Sequence, residues 1–112
     1  MFNKFHAKKT TVDGITFDSK KEAKRWSELQ FLERYGIITN LERQKRFTLL
    51  DKYTNNKGES IRGIEYIADF CYYDTQKKQW VVEDTKGFRT DVYKIKKKLF
   101  EQRYPAYRFE EI

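Results

Sequence analysis

Two aspartates sit inside otherwise apolar, strand-like sequence. Asp69 lies in Ile67-Ala68-Asp69-Phe70-Cys71, and Asp84 lies in Val81-Val82-Glu83-Asp84-Thr85-Lys86. A carboxylate in such a setting is costly unless it is paired or bound to a metal. The period of two along a strand puts Asp84 and Lys86 on one face with Val82, and Glu83 and Thr85 on the other. A polar turn at residues 74–79 separates the aspartates, so antiparallel neighbours can bring them within reach of one cation. Two carboxylates with water suit Mg²⁺. A lysine two residues from one ligand can orient a water or stabilise charge developing on a phosphate. Paired instead with Lys86 and Arg62, the same aspartates would form a structural salt-bridge set.

Glu22 is a third candidate. It closes the capping box Ser19-Lys20-Lys21-Glu22 at the start of a helix. It also shares the helix face of Trp26 and Leu29, which looks inward. A carboxylate there can reach the rim of a sheet and complete a metal site, and the two roles are compatible.

The elements that must position these groups follow from periodicity and punctuation. Residues 1–11, with Lys4, Lys8 and Lys9, read as a basic arm. Val12-Asp-Gly-Ile-Thr-Phe17 reads as a hairpin turning at Asp-Gly. Ala23, Trp26, Leu29 and Leu32 recur at helical spacing, predicting a helix over 20–35 that Gly36 stops. A strand is predicted over 41–50, with Leu41, Phe47 and Leu49 on one face. A polar turn follows over 51–60. Next come a long strand over 61–73 kinked at Gly63, and a third strand over 80–86. Thr90 or Asp91 caps a second helix whose inner face is read as Val92, Ile95 and Leu99. Pro105 ends it, and residues 107–112 form a last strand parallel to the third. The chain is therefore expected to be a single α/β domain over 12–112, with a mixed central sheet flanked by helices.

Composition narrows the partner. There are 24 Lys+Arg against 17 Asp+Glu among 112 residues, a formal net charge of +7. That balance on a small surface favours polyanions, nucleic acid first. Lys94, Lys97 and Lys98 on the second helix, with Lys8 and Lys9 on the arm, are candidate phosphate contacts. Arg89 and Thr90, just before that helix, can grip a phosphate at its N-terminus. Aromatic residues are 17% of the chain, which argues against disorder. The longest run free of charge, Tyr35 to Leu41, is far short of the roughly 20 apolar residues of a membrane span. The first residues lack the apolar stretch of a secretory signal, and Cys71 stands alone, so no intrachain disulfide or cysteine zinc site is expected. A reducing cytoplasm is the expected compartment.

Asp69, then Asp84-Thr85-Lys86, with a glutamate on a preceding helix, resembles the PD-(D/E)xK nuclease superfamily. The predicted order of helix, three strands, helix and strand is similar to that superfamily's αβββαβ restriction-endonuclease-like core. The longer stretches Val12-Asp-Gly-Ile-Thr-Phe-Asp-Ser-Lys-Lys-Glu-Ala, Tyr66-Ile-Ala-Asp-Phe and Val82-Glu-Asp-Thr-Lys-Gly-Phe-Arg-Thr resemble small phage and prophage proteins described as Holliday-junction-resolvase-like endonucleases. The resemblance implies a phage-type, Mg²⁺-dependent (or Mn²⁺-dependent) DNA endonuclease in a bacterial host cell. It implies that Asp69 and Asp84 bind the metal, that Glu22 binds or orients a second ion or its water, and that Lys86 positions the attacking water. Gln44 matches a polar residue lining the site in some relatives. The superfamily's proline is Ala68 here, and Glu83 stays open as a substitute for Asp84. Paired cuts across a junction would need a two-fold homodimer. A non-catalytic nucleic-acid-binding protein on the same fold and a phage protein that binds a host protein are the alternatives.

Overall fold

The computed structural model describes residues 9–85 and 89–112. A short hairpin pairs β1 (Thr10–Val12) with β2 (Ile15–Phe17). Thr10 and Thr11, expected in the arm, therefore belong to the hairpin, because Asp13 and Gly14 form a turn that registers Thr10 against Phe17. Helix α1 (Lys20–Arg34) starts at Ser19, whose Oγ accepts a hydrogen bond from Glu22 N at 3.1 Å. Gly36, at φ 72°, follows its C-cap. Strand β3 (Ile38–Leu50) begins three residues before its predicted start. A small hairpin of β4 (Tyr53–Thr54) and β5 (Ser60–Ile61) replaces the expected polar turn. It gives way to β6 (Ile64–Asp74) and β7 (Gln79–Asp84), then α2 (Asp91–Arg103) and β8 (Tyr107–Glu111). Thr90 caps α2, with Oγ1 accepting from Tyr93 N at 3.0 Å.

The main sheet has four strands in the order β3-β6-β7-β8. β3 and β7 run antiparallel to β6, and β8 runs parallel to β7, with α2 as the connection. The expected mixed α/β architecture and its element order are present. The expected long strand is interrupted at Gly63, where a Cβ would stand 2.4 Å from the Leu50 carbonyl oxygen. Only a residue without a side chain lets the two strands approach so closely.

Each face of the sheet carries its own core. On the α2 side, Phe47, Tyr66, Val82, Tyr93 and Phe100 pack together, with Tyr104, Tyr107 and Phe109 around them. Phe100 is wholly buried, and its ring centroid lies 4.9 Å from Phe47 and 5.3 Å from Tyr104. On the α1 side, Leu29, Ile38, Phe70, Tyr72 and Val81 form the second cluster, with Trp26 and Leu41 against it. Most of the aromatic wealth of the sequence is spent on the α2 side.

Two expectations about faces are corrected. Val92, Ile95 and Leu99 are 62%, 59% and 37% exposed, so they are not the inner face of α2. Tyr93 and Phe100, seven residues apart, take that role, because their larger rings bury more surface. Leu41 does not share a face with Phe47 and Leu49, since it packs on the α1 side and they on the α2 side. Strict alternation fails between them at Gln44, which has a left-handed backbone at φ 52°. The same reversal occurs on the neighbouring strand. Tyr66 and Ala68 belong to the α2-side core and Phe70 and Tyr72 to the α1-side core, so the switch falls at Asp69. The β3–β6 register sets Gln44 opposite Asp69, between the pairs Arg43↔Phe70 and Lys45↔Ala68. Both strands thus turn over at one point.

The assignment of the inner face predicts a clear contrast. In chemical denaturation, Phe100→Ala should lower unfolding free energy by about 3–5 kcal/mol. Ile95→Ala should cost less than about 1 kcal/mol. The reverse ranking would contradict the packing.

Candidate functional site

The carboxylates of interest collect where β6 and β7 part. Their last bonded pair is Phe70↔Glu83, and the register extended by one residue sets Asp69 opposite Asp84. The four acids there have different neighbours. Asp69 Oδ2 accepts from the Thr85 backbone N–H at 2.8 Å and from Thr85 Oγ1 at 2.7 Å. These two bonds tie the end of β7 back to the point where β6 turns over. Asp84 is fully buried on the α2 side, as its parity with Val82 requires, and it accepts a hydrogen bond from the Tyr66 hydroxyl. Burial, with the adjacent Asp84 charge, pushes the Tyr66 hydroxyl far above the usual tyrosine range, so it stays a donor.

Glu83 points to the opposite face. Its carboxylate is 1% exposed and receives Arg25 Nε at 2.7 Å and Arg25 Nη2 at 2.6 Å, in the two-pronged geometry that guanidinium and carboxylate share. The Tyr72 hydroxyl donates a third hydrogen bond. Glu83 is thereby occupied as the strut that joins α1 to β7.

Glu22, 2% exposed, is the least compensated of the group. Its carboxylate accepts from the Asp18 backbone and feels the charges of Asp69 and Asp18, with Arg43 as an opposing cation. Burial first, then the charge of Asp69, raises its pKa from 4.5 to about 7. Asp69 is within electrostatic range of both Glu22 and the Tyr66 hydroxyl, so it links the two faces. Asp69 thus stands between Glu22 of α1 and the register position of Asp84 on the α2 side. Among the described residues, no three His, Cys, Asp or Glu side chains converge closely enough to enclose a metal ion.

The other expected residues divide sharply. Lys86 and Lys8 lie outside the described residues. Lys9 is exposed, as are Lys94 and Lys98 on α2. Arg89 and Lys97 both reach Glu111, at 2.8 Å and 3.4 Å, where the Tyr93 hydroxyl also donates at 2.7 Å. The hydrogen bonds from Arg89 and Tyr93 hold the Glu111 carboxyl down at about 2. Thr90 Oγ1 is engaged in its helix cap. The Gln44 side chain is exposed, and what it contributes is the left-handed backbone opposite Asp69. Sequence reasoning missed Thr85, Tyr66 and Arg43. Thr85 and Tyr66 flank the acids within quoted motifs, so their hydroxyls were a readable signal; Arg43 was not readable, because its face depends on the turn at Gln44.

A family profile described as "Protein of unknown function (DUF1064)" matches residues 2–112. The chain belongs to the DUF1064 family. No curated protein and no solved structure matches it. No helix among the described residues of this DUF1064 protein is long and apolar enough to cross a membrane.

Glu22 makes a signed prediction about pH. The folded state holds its proton to higher pH than the unfolded chain does. Its burial therefore costs nothing below about pH 4.5 and costs progressively more as pH rises through 7. Glu22→Gln keeps the size and the capping capacity while removing the charge. It should raise stability at pH 8 by roughly 3 kcal/mol, and the gain should shrink toward zero near pH 4. Thermal melts of both proteins across that range measure it, and a pH-independent difference would contradict the assignment. By contrast, Glu83→Gln should destabilise at neutral pH by about 3–5 kcal/mol, because it removes the buried anion of Arg25 and leaves it only the exposed Glu28.

Proposed function

We propose that this DUF1064 chain is a Mg²⁺-dependent DNA endonuclease of the PD-(D/E)xK type, similar to phage and prophage Holliday-junction resolvases and working as a two-fold homodimer. The observation that carries the reading is that the β6–β7 register, extended one residue past its last pair Phe70↔Glu83, sets Asp69 opposite Asp84, with Glu22 of α1 in electrostatic range of Asp69. The strand and helix order around them supports it.

The donor chemistry fits a hard cation. Every candidate ligand is a carboxylate oxygen, and Mg²⁺ is commonly held by one or two carboxylates while keeping several waters. Asp69 and Asp84 would hold it, with Glu22 at a second ion or its water. When bound, such a cation supplies a Lewis-acid contact to a phosphoryl oxygen and a more acidic water. The chain's own residues do the rest. Glu22, which exchanges its proton near neutral pH, is suited to taking the proton of an attacking water at its carboxylate oxygen. Thr85 keeps the Asp69 carboxylate in place through two hydrogen bonds. Lys86 contributes by its place in the Asp-Thr-Lys motif, as the charge that steadies the phosphate. Lys9, Lys94 and Lys98 supply exposed positive charge for flanking phosphates.

The test uses labelled four-way junction, flap, nicked and linear duplex DNA with and without Mg²⁺. Wild type should cut at least one substrate only with the metal. Asp69→Asn and Asp84→Asn should each slow cutting by about 100-fold or more while DNA binding survives. Binding without cleavage of any substrate in Mg²⁺ or Mn²⁺ would refute the enzyme reading and leave a DNA-binding protein.

A further inference from the structure

Arg43 has no assigned role, yet its setting is that of a prepared anion contact. It is carried on β3 directly before Gln44, and the left-handed backbone there turns it onto the α1 side, while Lys45 lies over the Phe47 ring on the α2 side. Without that reversal, alternation would send Arg43 and Lys45 to the same face. The Arg43 guanidinium carbon sits 4.6 Å from the Phe17 ring centroid and 5.8 Å from that of Trp26. Two aromatic faces therefore hold the guanidinium and limit its rotamers. Its Nε is buried and has no hydrogen-bond partner among the described residues. The other described basic groups near these acids differ, since Arg25 is committed to Glu83 and Glu28, and Arg89 and Lys97 to Glu111. Arg43 also lies within electrostatic range of Glu22 and is paired in register with Phe70, next to Asp69.

We propose that Arg43 is a phosphate-contacting cation of this site, additional to Lys86, binding the non-bridging oxygens of a nucleic-acid phosphate delivered to Glu22 and Asp69. The proposal rests on the phosphodiesterase reading and adds a residue on β3 through which the substrate phosphate is gripped. A planar fork fixed over aromatic rings matches two phosphate oxygens at once and pays little entropy on binding. The backbone strain at Gln44 then has a use: it aims this side chain.

The experiment measures binding separately from cutting. Fluorescence anisotropy with a labelled four-way DNA junction, in EDTA and over a salt series, compares wild type with Arg43→Met and Arg43→Lys. Arg43→Met should bind at least about tenfold more weakly and reduce the slope of log affinity against log salt by about one, as expected for one lost phosphate contact. Arg43→Lys should keep the slope but lose affinity, because the charge remains and the fork does not. In Mg²⁺, added guanidinium, at matched ionic strength, should restore part of the cutting rate lost in Arg43→Met. Affinity and slope equal to wild type in Arg43→Met would overturn the proposal and make Arg43 a packing residue. If Arg43→Met does not fold, Arg43→Lys with unchanged affinity overturns it equally. A wild type that cuts DNA with an indifferent Arg43 leaves the nuclease reading intact; a wild type that cuts nothing while Arg43→Met shows the lost slope keeps the phosphate contact and removes the nuclease reading.

Discussion

Glu22, Glu83 and Asp84 are each at most 2% exposed, and the cost of burying three carboxylates in so small a domain shapes what surrounds them. An ionised carboxylate taken out of water must find donors or cations, or else give up its charge. The fold meets this demand in three different ways. Glu83 takes a guanidinium and a phenol and becomes a joint between α1 and β7. Asp84 takes the hydroxyl of Tyr66, which is itself fixed in the aromatic core. Glu22 takes one backbone donor and faces two other acids, so it gives way and holds its proton toward neutral pH. Stability alone would not favour that last arrangement. A cation bound beside Glu22 and Asp69 would reverse its sign, since the charges that repel one another would then share a positive centre.

The concerted turn-over of β3 and β6 ties the site to the sheet. A regular pair of strands would put Asp69 among the side chains of a single face. The reversal at Gln44 and Asp69 instead brings Asp69 between the two cores, where it reaches Thr85 and stands in range of both Glu22 and Tyr66. The left-handed Gln44 is a local cost of about 1 kcal/mol or more. That strain accompanies the change of face that puts Arg43 on the α1 side, over Phe17 and Trp26, and Lys45 on the α2 side, over Phe47. The same device shows why irregular points in a strand are informative: alternation is the default, and a departure from it is held in place by the surrounding packing.

The sequence was informative wherever one residue type has one local consequence. Ser19 and Glu22 announced the start of α1, Thr90 and Pro105 bracketed α2, and Asp13-Gly14 marked the first hairpin. The hairpin between Asp69 and Asp84 and the parallel last strand were readable from turn composition and the intervening helix. Faces were legible only where alternation is unbroken. Leu41 was misread because Gln44 carries no sequence signal for a left-handed backbone, unlike glycine. The inner face of α2 was misread because that helix carries two apolar stripes, and spacing does not say which one the sheet selects. Tyr93 and Phe100 win through the aromatic cluster they complete, which is a tertiary fact. In the site, the acids were legible from their apolar context, whereas the partners of Glu83 and Glu111 were not, because Arg25 and Arg89 are 58 and 22 residues away along the chain.

The central question is whether Glu22, Asp69 and Asp84 prefer a cation to a proton. Isothermal titration of Mn²⁺ into the wild-type protein and into Asp69→Asn at pH 7, without DNA, addresses this directly. The account predicts saturable binding in wild type that is lost in Asp69→Asn, with proton release on binding from Glu22 at pH 7. Equal heats in the two proteins, or none in wild type, would contradict it.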